Sequence, residues 1–143
     1  MKLTEGTLVA DRFRLVRQLG EGGMGAVWFA EHVTLKTPCA LKFIHADVAQ
    51  AIEIRARFER EALIAAQLRS PHVVQVLDYG IFEGTPYLAM EYLAGEDLGD
   101  RLEKRGRLSA YETVTIVGQV ARALTRAHAS ALVHRDLKPE NIY

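Results

Sequence analysis

One cysteine, Cys39, is all the 143-residue sequence holds, so no internal disulfide can form and a reducing, cytoplasmic compartment fits. Neither charge is in excess. Eighteen Lys plus Arg balance 18 Asp plus Glu, which leaves no electrostatic footprint for nucleic acid or an anionic membrane. No apolar run approaches the roughly 18 residues of a membrane span, and the opening MKLTEGTLVADRF lacks the apolar stretch of a signal peptide. Internal repeats and low-complexity tracts are absent. His32, His45, His72 and His128 show no metal-ligand spacing and read as surface or core histidines. What remains is an ordinary globular composition, 49% hydrophobic and 25% charged. A chain of this length can bury roughly 68–70% of its unfolded surface.

Strand signals come first. Phe13, Leu15 and Arg17 alternate with Arg14, Val16 and Gln18, a glycine-rich turn follows, and 26–31 is rich in Val, Trp and Phe. Lys36-Thr37-Pro38 is a turn before a third strand, 39–44. Asp47 and Gln50 resemble a capping box that opens a helix to about Leu68, which Ser70-Pro71 ends. Residues 73–79 and 87–92 read as two more strands around a turn at Glu83-Gly84-Thr85-Pro86. A short helix over 97–104 follows, and Ser109 with Glu112 forms a second capping box opening a helix to about Ser130. Strands early and helices late give an α+β fold, with an antiparallel five-stranded sheet and one helix in a first lobe, 1–92. The hinge and the first helices of a second lobe occupy 93–143.

Residues 20–27, GEGGMGAV, place Gly20, Gly22 and Gly25 in a G-x-G-x-x-G pattern, with Val27 two further on. Glycines let backbone N–H groups approach a phosphate closely, though a flexible hairpin turn is an equal reading of the pattern alone. A dinucleotide fold needs a helix straight after the glycines, and AVWFAEH has strand composition. On the third strand Ala40, Lys42 and Ile44 share one face, which sets Lys42 between apolar neighbours. On the following helix Glu61 falls on the apolar stripe of Ile54, Phe58, Ala65 and Leu68. A glutamate there is costly unless paired, and Lys42 is the partner at hand to form an ion pair that holds nucleotide phosphates. A solvated Glu61 at the stripe's edge and a snorkelling Lys42 are the plainer alternatives. Backbone groups where YLAMEYL runs into AGED can bond a flat heterocycle, with Met90 as an apolar wall or simple core. Asp97 suits a ribose hydroxyl, a helix N-cap, or both.

The most specific signal is HRDLKPENIY, 134–143. Asp136 can orient or deprotonate a hydroxyl, Lys138 can neutralise charge on a transferring group, and Asn141 can reach a metal ion on the same phosphates. A charge-rich turn explains little of so long a signature.

With GEGGMGAV, CALK, FEREA, MEYL and HRDLKPEN in order, the chain resembles a eukaryotic-type serine/threonine protein kinase, and the Gly-Gly-Met-Gly tip resembles bacterial members. The resemblance implies ATP and Mg²⁺ as cofactors and a protein Ser/Thr substrate. It implies that Gly20, Gly22, Gly25 and Val27 cover the nucleotide and that Ala40 lines the adenine pocket. Lys42, held by Glu61, contacts the α- and β-phosphates. Met90 is the gatekeeper, and Glu91 and Leu93 offer backbone groups to adenine. Asp136 is the catalytic base, Lys138 contacts the γ-phosphate and Asn141 binds Mg²⁺. Arg135 in the family often meets a phosphorylated activation loop. Cys39 stands where the family usually has valine, a small apolar exchange of little effect.

The family's D-F-G aspartate, activation loop and A-P-E motif are not among the 143 residues, so the chain reads as the N-terminal part of a longer kinase with little transfer activity by itself. On the helix from Ser109, polar Thr115, Gln119, Arg122 and Arg126 form one narrow stripe and apolar residues cover the rest. Such a helix expects neighbours on most sides and otherwise leaves an apolar patch prone to self-association. Two other readings are a catalytically silent nucleotide-binding or interaction module, from a split or degenerate kinase, and a fragment that folds poorly.

Overall fold

A computed structural model of the protein describes residues 3–22, 25–44, 59–60, 62–63 and 65–143. Six strands form one antiparallel sheet: β1 (Leu8–Val9), β2 (Phe13–Gly22), β3 (Gly25–His32), β4 (Thr37–Ile44), β5 (Val76–Phe82) and β6 (Thr85–Glu91), in the order β1-β2-β3-β4-β6-β5. The sheet has one strand more than the five expected. Leu8–Val9 is too short to show any alternation, and it is held by pairing with Arg14 and Phe13. The glycine pattern also differs from a simple turn. Gly20 and Gly22 are strand residues of β2, and Gly22 pairs with Gly25 at the start of β3.

Residues 59–60, 62–63 and 65–67 are helical, which agrees with the C-terminal end of the expected helix. The proposed Asp47/Gln50 box, Ile54, Phe58, Glu61 and His45 lie outside the described residues.

Alternation along the strands gives the sheet two unlike faces. Phe13, Leu15, Ala26, Trp28, Ala30, Cys39, Leu41, Phe43, Tyr87 and Ala89 form one buried core. Burial pushes the Cys39 thiol up to about 11, so it stays protonated and packs as a small apolar group. On the other face Val27, Phe29, Lys42, Leu88 and Met90 are only half-buried.

The sheet is strongly curled. β2 and β6 are separated by two strands, yet the Phe13 and Tyr87 rings lie 6.3 Å apart edge to face. In a flat sheet, three strand spacings of about 4.8 Å would separate them much further. Arg12 Nη2 and Asp78 Oδ2, 2.7 Å apart, latch the start of β2 to the edge strand β5. Tyr87 donates to the same carboxylate oxygen at 3.5 Å, and burial raises its pKa.

The chain divides into two compact units, 1–67 with 75–92, and 68–74 with 93–143. The short stretch 68–74 thus groups with the later residues. In that second unit α1 (Leu98–Arg105) is N-capped by Asp97, whose carboxylate accepts from the Asp100 N–H at 2.9 Å. Helix α2 (Ala110–Ala129) begins at Ser109 with the expected capping box: Ser109 accepts from the Glu112 N–H, and Glu112 accepts from the Ser109 N–H. Glu112 also receives Arg101 and Arg105, joining the two helices. Of α2's residues only Ala127 is buried, while Tyr111, Val114 and Val117 are 81%, 72% and 60% exposed.

Candidate functional site

In the first unit, strand register sets the expected nucleotide residues side by side. Gly20 pairs with Val27, Val27 with Lys42, and Lys42 with Leu88, so one row crosses four strands. The next row is Phe29, Ala40 and Met90. Val27, Ala40, Lys42 and Met90 therefore share the half-buried face. Lys42 is the cation of the first row, and Arg17, paired with Phe29 and stacked over its ring at 5.5 Å, ends the second.

The three glycines are not equivalent. A Cβ on Gly25 would fall 1.8 Å from the Phe43 carbonyl oxygen and 3.1 Å from the Ile44 Cα. Gly25 is thus required by the close approach of β3 to β4. A Cβ on Gly20 or Gly22 would meet nothing within 4 Å, and neither has a left-handed φ. Glycine inside a strand costs about 0.5–1 kcal/mol relative to alanine. At 20 and 22 neither packing nor a left-handed φ demands that cost, and the lack of a side chain is what lets a phosphate approach closely.

Glu91 ends β6. Its N–H donates to the Gln75 carbonyl at 3.0 Å and its carboxylate accepts from the Gln75 N–H at 2.7 Å. Leu93 lies in the irregular stretch after the sheet.

In the second unit the HRDLKPENIY run is a compact polar loop. Arg135 has φ +61°, a left-handed conformation that a non-glycine residue holds only under constraint. The constraint comes from the residues that follow. Asn141 Nδ2 donates to the Asp136 carbonyl at 2.7 Å and to Asp136 Oδ2 at 3.2 Å. Lys138 Nζ lies 3.3 Å from the same carboxylate oxygen. The Pro139–Asn141 turn is 3₁₀, and proline at its start supplies the fixed φ that tightens it. This brings Asp136, Lys138 and Asn141 together.

Lys138, then Asn141, hold the Asp136 carboxyl below its ordinary value. Asp136 is therefore an ionised, acceptor-only group at neutral pH, suited to orient a hydroxyl and accept its proton late. With its amide nitrogen given to Asp136, Asn141 keeps an oxygen for a metal. A hard oxygen donor beside a carboxylate fits Mg²⁺, which takes few protein ligands and completes its shell with phosphates and water.

Three contacts that sequence reading missed anchor this loop. The Leu98 N–H donates to the Ile142 carbonyl at 2.7 Å, and the Tyr143 hydroxyl donates to the Gly95 carbonyl at 3.0 Å. Gly99 packs closely under the loop: a Cβ there would lie 3.0 Å from Asp97 Oδ1 and 3.1 Å from Glu140 Cγ, so these side chains would have to shift slightly. Asp97, expected to suit both a ribose and a cap, is the cap of the helix on which the loop rests.

The charge on Glu112 supports the adjoining helices, and its pH signature is distinct. Bonds from the Ser109 backbone and hydroxyl, then from Arg105, lower its carboxyl from 4.5 to about 2. The folded form thus binds this proton less tightly than the unfolded form. Its stabilising contribution is full above pH 4.5 and fades as pH falls toward 2. Urea titrations across that window are expected to show a smaller acid loss for Glu112→Gln than for the parent. Equal acid slopes would refute this.

Comparison with known proteins gives the family and the fold. The protein kinase domain model matches residues 13–143. The chain belongs to the protein kinase family. This kinase chain is 45% identical over 144 residues to the serine/threonine-protein kinase PknF of Mycobacterium tuberculosis, covering 99% of the chain and 30% of PknF. It is 39% identical over 138 residues to the probable serine/threonine-protein kinase pknA2 of Bifidobacterium longum, covering 94% of the chain and 18% of that protein. The crystal structure of the Mycobacterium tuberculosis PknI kinase domain superposes with a TM-score of 0.89 at 37% identity, over 98% of this chain and 56% of that one. The kinase chain therefore spans under a third of its curated relatives and little more than half of the solved domain. Among the described residues, none of its helices is long and apolar enough to cross a membrane.

Proposed function

We propose that residues 1–143 are the nucleotide-binding portion of a bacterial serine/threonine protein kinase, which moves the γ-phosphoryl group of ATP to a protein hydroxyl. The observation that carries this reading is the strand row in which Lys42 lies beside Val27 and Gly20, next to glycines that the fold itself does not require. Gly20, Gly22, Gly25 and Val27 would cover ATP, with Lys42 on its α- and β-phosphates. Glu61 would steady Lys42. Ala40, Met90, Glu91 and Leu93 would receive adenine, and Asp97 the ribose. In the second unit Asp136 would orient the substrate hydroxyl and Lys138 would stabilise charge on the γ-phosphoryl. Asn141 would hold Mg²⁺, which when bound offsets phosphate charge. Catalysis of this kind rests on positioning and electrostatics. The boundary of the two lobes would fall after Tyr92.

A polypeptide of residues 1–143 is expected to gain thermal stability with ATP, more so with Mg²⁺, and to show no measurable phosphate transfer. Its motifs include Asn141 but not the D-F-G aspartate that shares the metal in the family. Transfer to a generic protein substrate, abolished by Asp136→Asn, would contradict the second part. Stabilisation that ignores Mg²⁺ would instead mark a catalytically silent module. The exposed Tyr111, Val114 and Val117 would make the polypeptide self-associate, which sedimentation over a concentration series would detect and Val114→Glu would reduce.

A further inference from the structure

The Ser70–His72 turn and the second half of α2 enclose an open groove of about 460 Å³. Both walls belong to the second unit. Ser70, Pro71 and His72 form one side, and Arg122, Thr125 and Arg126 the other. Among the described residues the lining thus holds two guanidinium groups, an imidazole and two hydroxyls, and no carboxylate.

Arg126 has a structural task, since its Nη1 donates to the Arg69 carbonyl at 2.6 Å and braces the turn. Arg122 has none. On α1, Arg101 and Arg105 meet Glu112, and Lys104 meets Glu96. No carboxylate among the described residues pairs with Arg122 or Arg126. Residues four apart on a helix are neighbours, and like charges so placed repel. An anion between them turns that repulsion into a paired grip. Planar guanidinium forks match phosphate oxygens two at a time. The Ser70 hydroxyl accepts from the His72 N–H at 3.2 Å, which leaves its own proton free to donate.

The geometry points to a docking site for a phosphorylated serine or threonine carried on a peptide, its phosphate held by Arg122 and Arg126 with Ser70 and His72 alongside. The groove is far larger than a phosphate ion and has room for the modified side chain and the backbone around it. It is built from other residues than the Asp136 loop and does not depend on the reading of the nucleotide site. It would tether a phosphorylated polypeptide to this unit.

The test is a titration of the isotope-labelled 143-residue chain, followed by amide NMR shifts. The probes are a phosphothreonine peptide, its unphosphorylated form, the same peptide with glutamate at that position, and inorganic phosphate. The phosphopeptide is expected to shift Ser70, His72, Arg122 and Thr125 saturably, and inorganic phosphate to act at the same residues more weakly. The unphosphorylated peptide should have no effect. Arg122→Gln, at an exposed position and so without effect on the fold, is expected to weaken phosphopeptide binding by about tenfold or more. The proposal is overturned by absence of saturable shifts at these residues, or by unchanged affinity in Arg122→Gln. It is equally overturned if the glutamate peptide binds as tightly, which means general attraction to acid, or if inorganic phosphate does, which means a free-phosphate site.

Discussion

Gly25→Ala is expected to lower the melting temperature by roughly 10–20 °C, the fall that corresponds to about 3 kcal/mol in a unit of this size. The added methyl would lie 1.8 Å from the Phe43 carbonyl oxygen, and that oxygen belongs to the backbone of β4. No rotamer change can relieve the overlap. The Gly25–Ile44 end of the β3–β4 ladder has to open, taking with it the neighbouring pair of Ala26 and Phe43. Both of those residues belong to the buried core, so the loss spreads beyond the hairpin. Gly20→Ala and Gly22→Ala are the controls. They meet open space, and each is expected to leave stability unchanged or raise it by about 0.5 kcal/mol. Both should nonetheless weaken ATP binding. Equal destabilisation by all three substitutions would show that the pattern is only a turn requirement.

Lys42→Ala is expected to remove the ATP-induced rise in melting temperature. A charge-assisted bond to phosphate contributes about 1.5–3 kcal/mol, so affinity should fall roughly ten- to a hundredfold. The melting temperature without nucleotide should move little, because Lys42 is half-buried on the face away from the core. Calorimetry with ATP against the parent and Lys42→Ala reads both quantities. Undiminished binding by the variant would remove Lys42 from the site.

Period and capping chemistry made much of this architecture legible in the residue order. Cys39, Leu41 and Phe43 are buried in the core because a strand alternates, and the same alternation set Ala40 and Lys42 on the other face. Ser109 and Glu112 gave the start of α2 because their two side chains satisfy each other's backbone N–H groups. Contacts between residues far apart in sequence left no such trace. Nothing in Tyr143 or Gly95 hints at their hydrogen bond, nor in Arg12 or Asp78 at theirs. The spacing of Asp136 and Asn141 suggested a base for a hydroxyl and, five residues on, a ligand for a metal ion on the phosphates. That Asn141 also fastens Asp136 depends on the tight turn from Pro139, which only the folded loop displays. Glu61 lies outside the described residues, so its pairing with Lys42 rests on the helical stripe alone.

The Arg12–Asp78 latch bears on how the chain folds. β2, β3 and β4 are successive hairpin partners and can pair as soon as each has been made. β6 must find β4 across a long excursion, and β5 follows it to the edge. The latch can form only after both, so it is among the last contacts of the first unit. Topologies whose decisive contacts are distant in sequence fold slowly, because the entropy of closing the loop is lost before those contacts repay it. A latch formed after the rate-limiting barrier would have a distinct kinetic signature. Breaking it should hasten unfolding and leave the rate of folding nearly untouched.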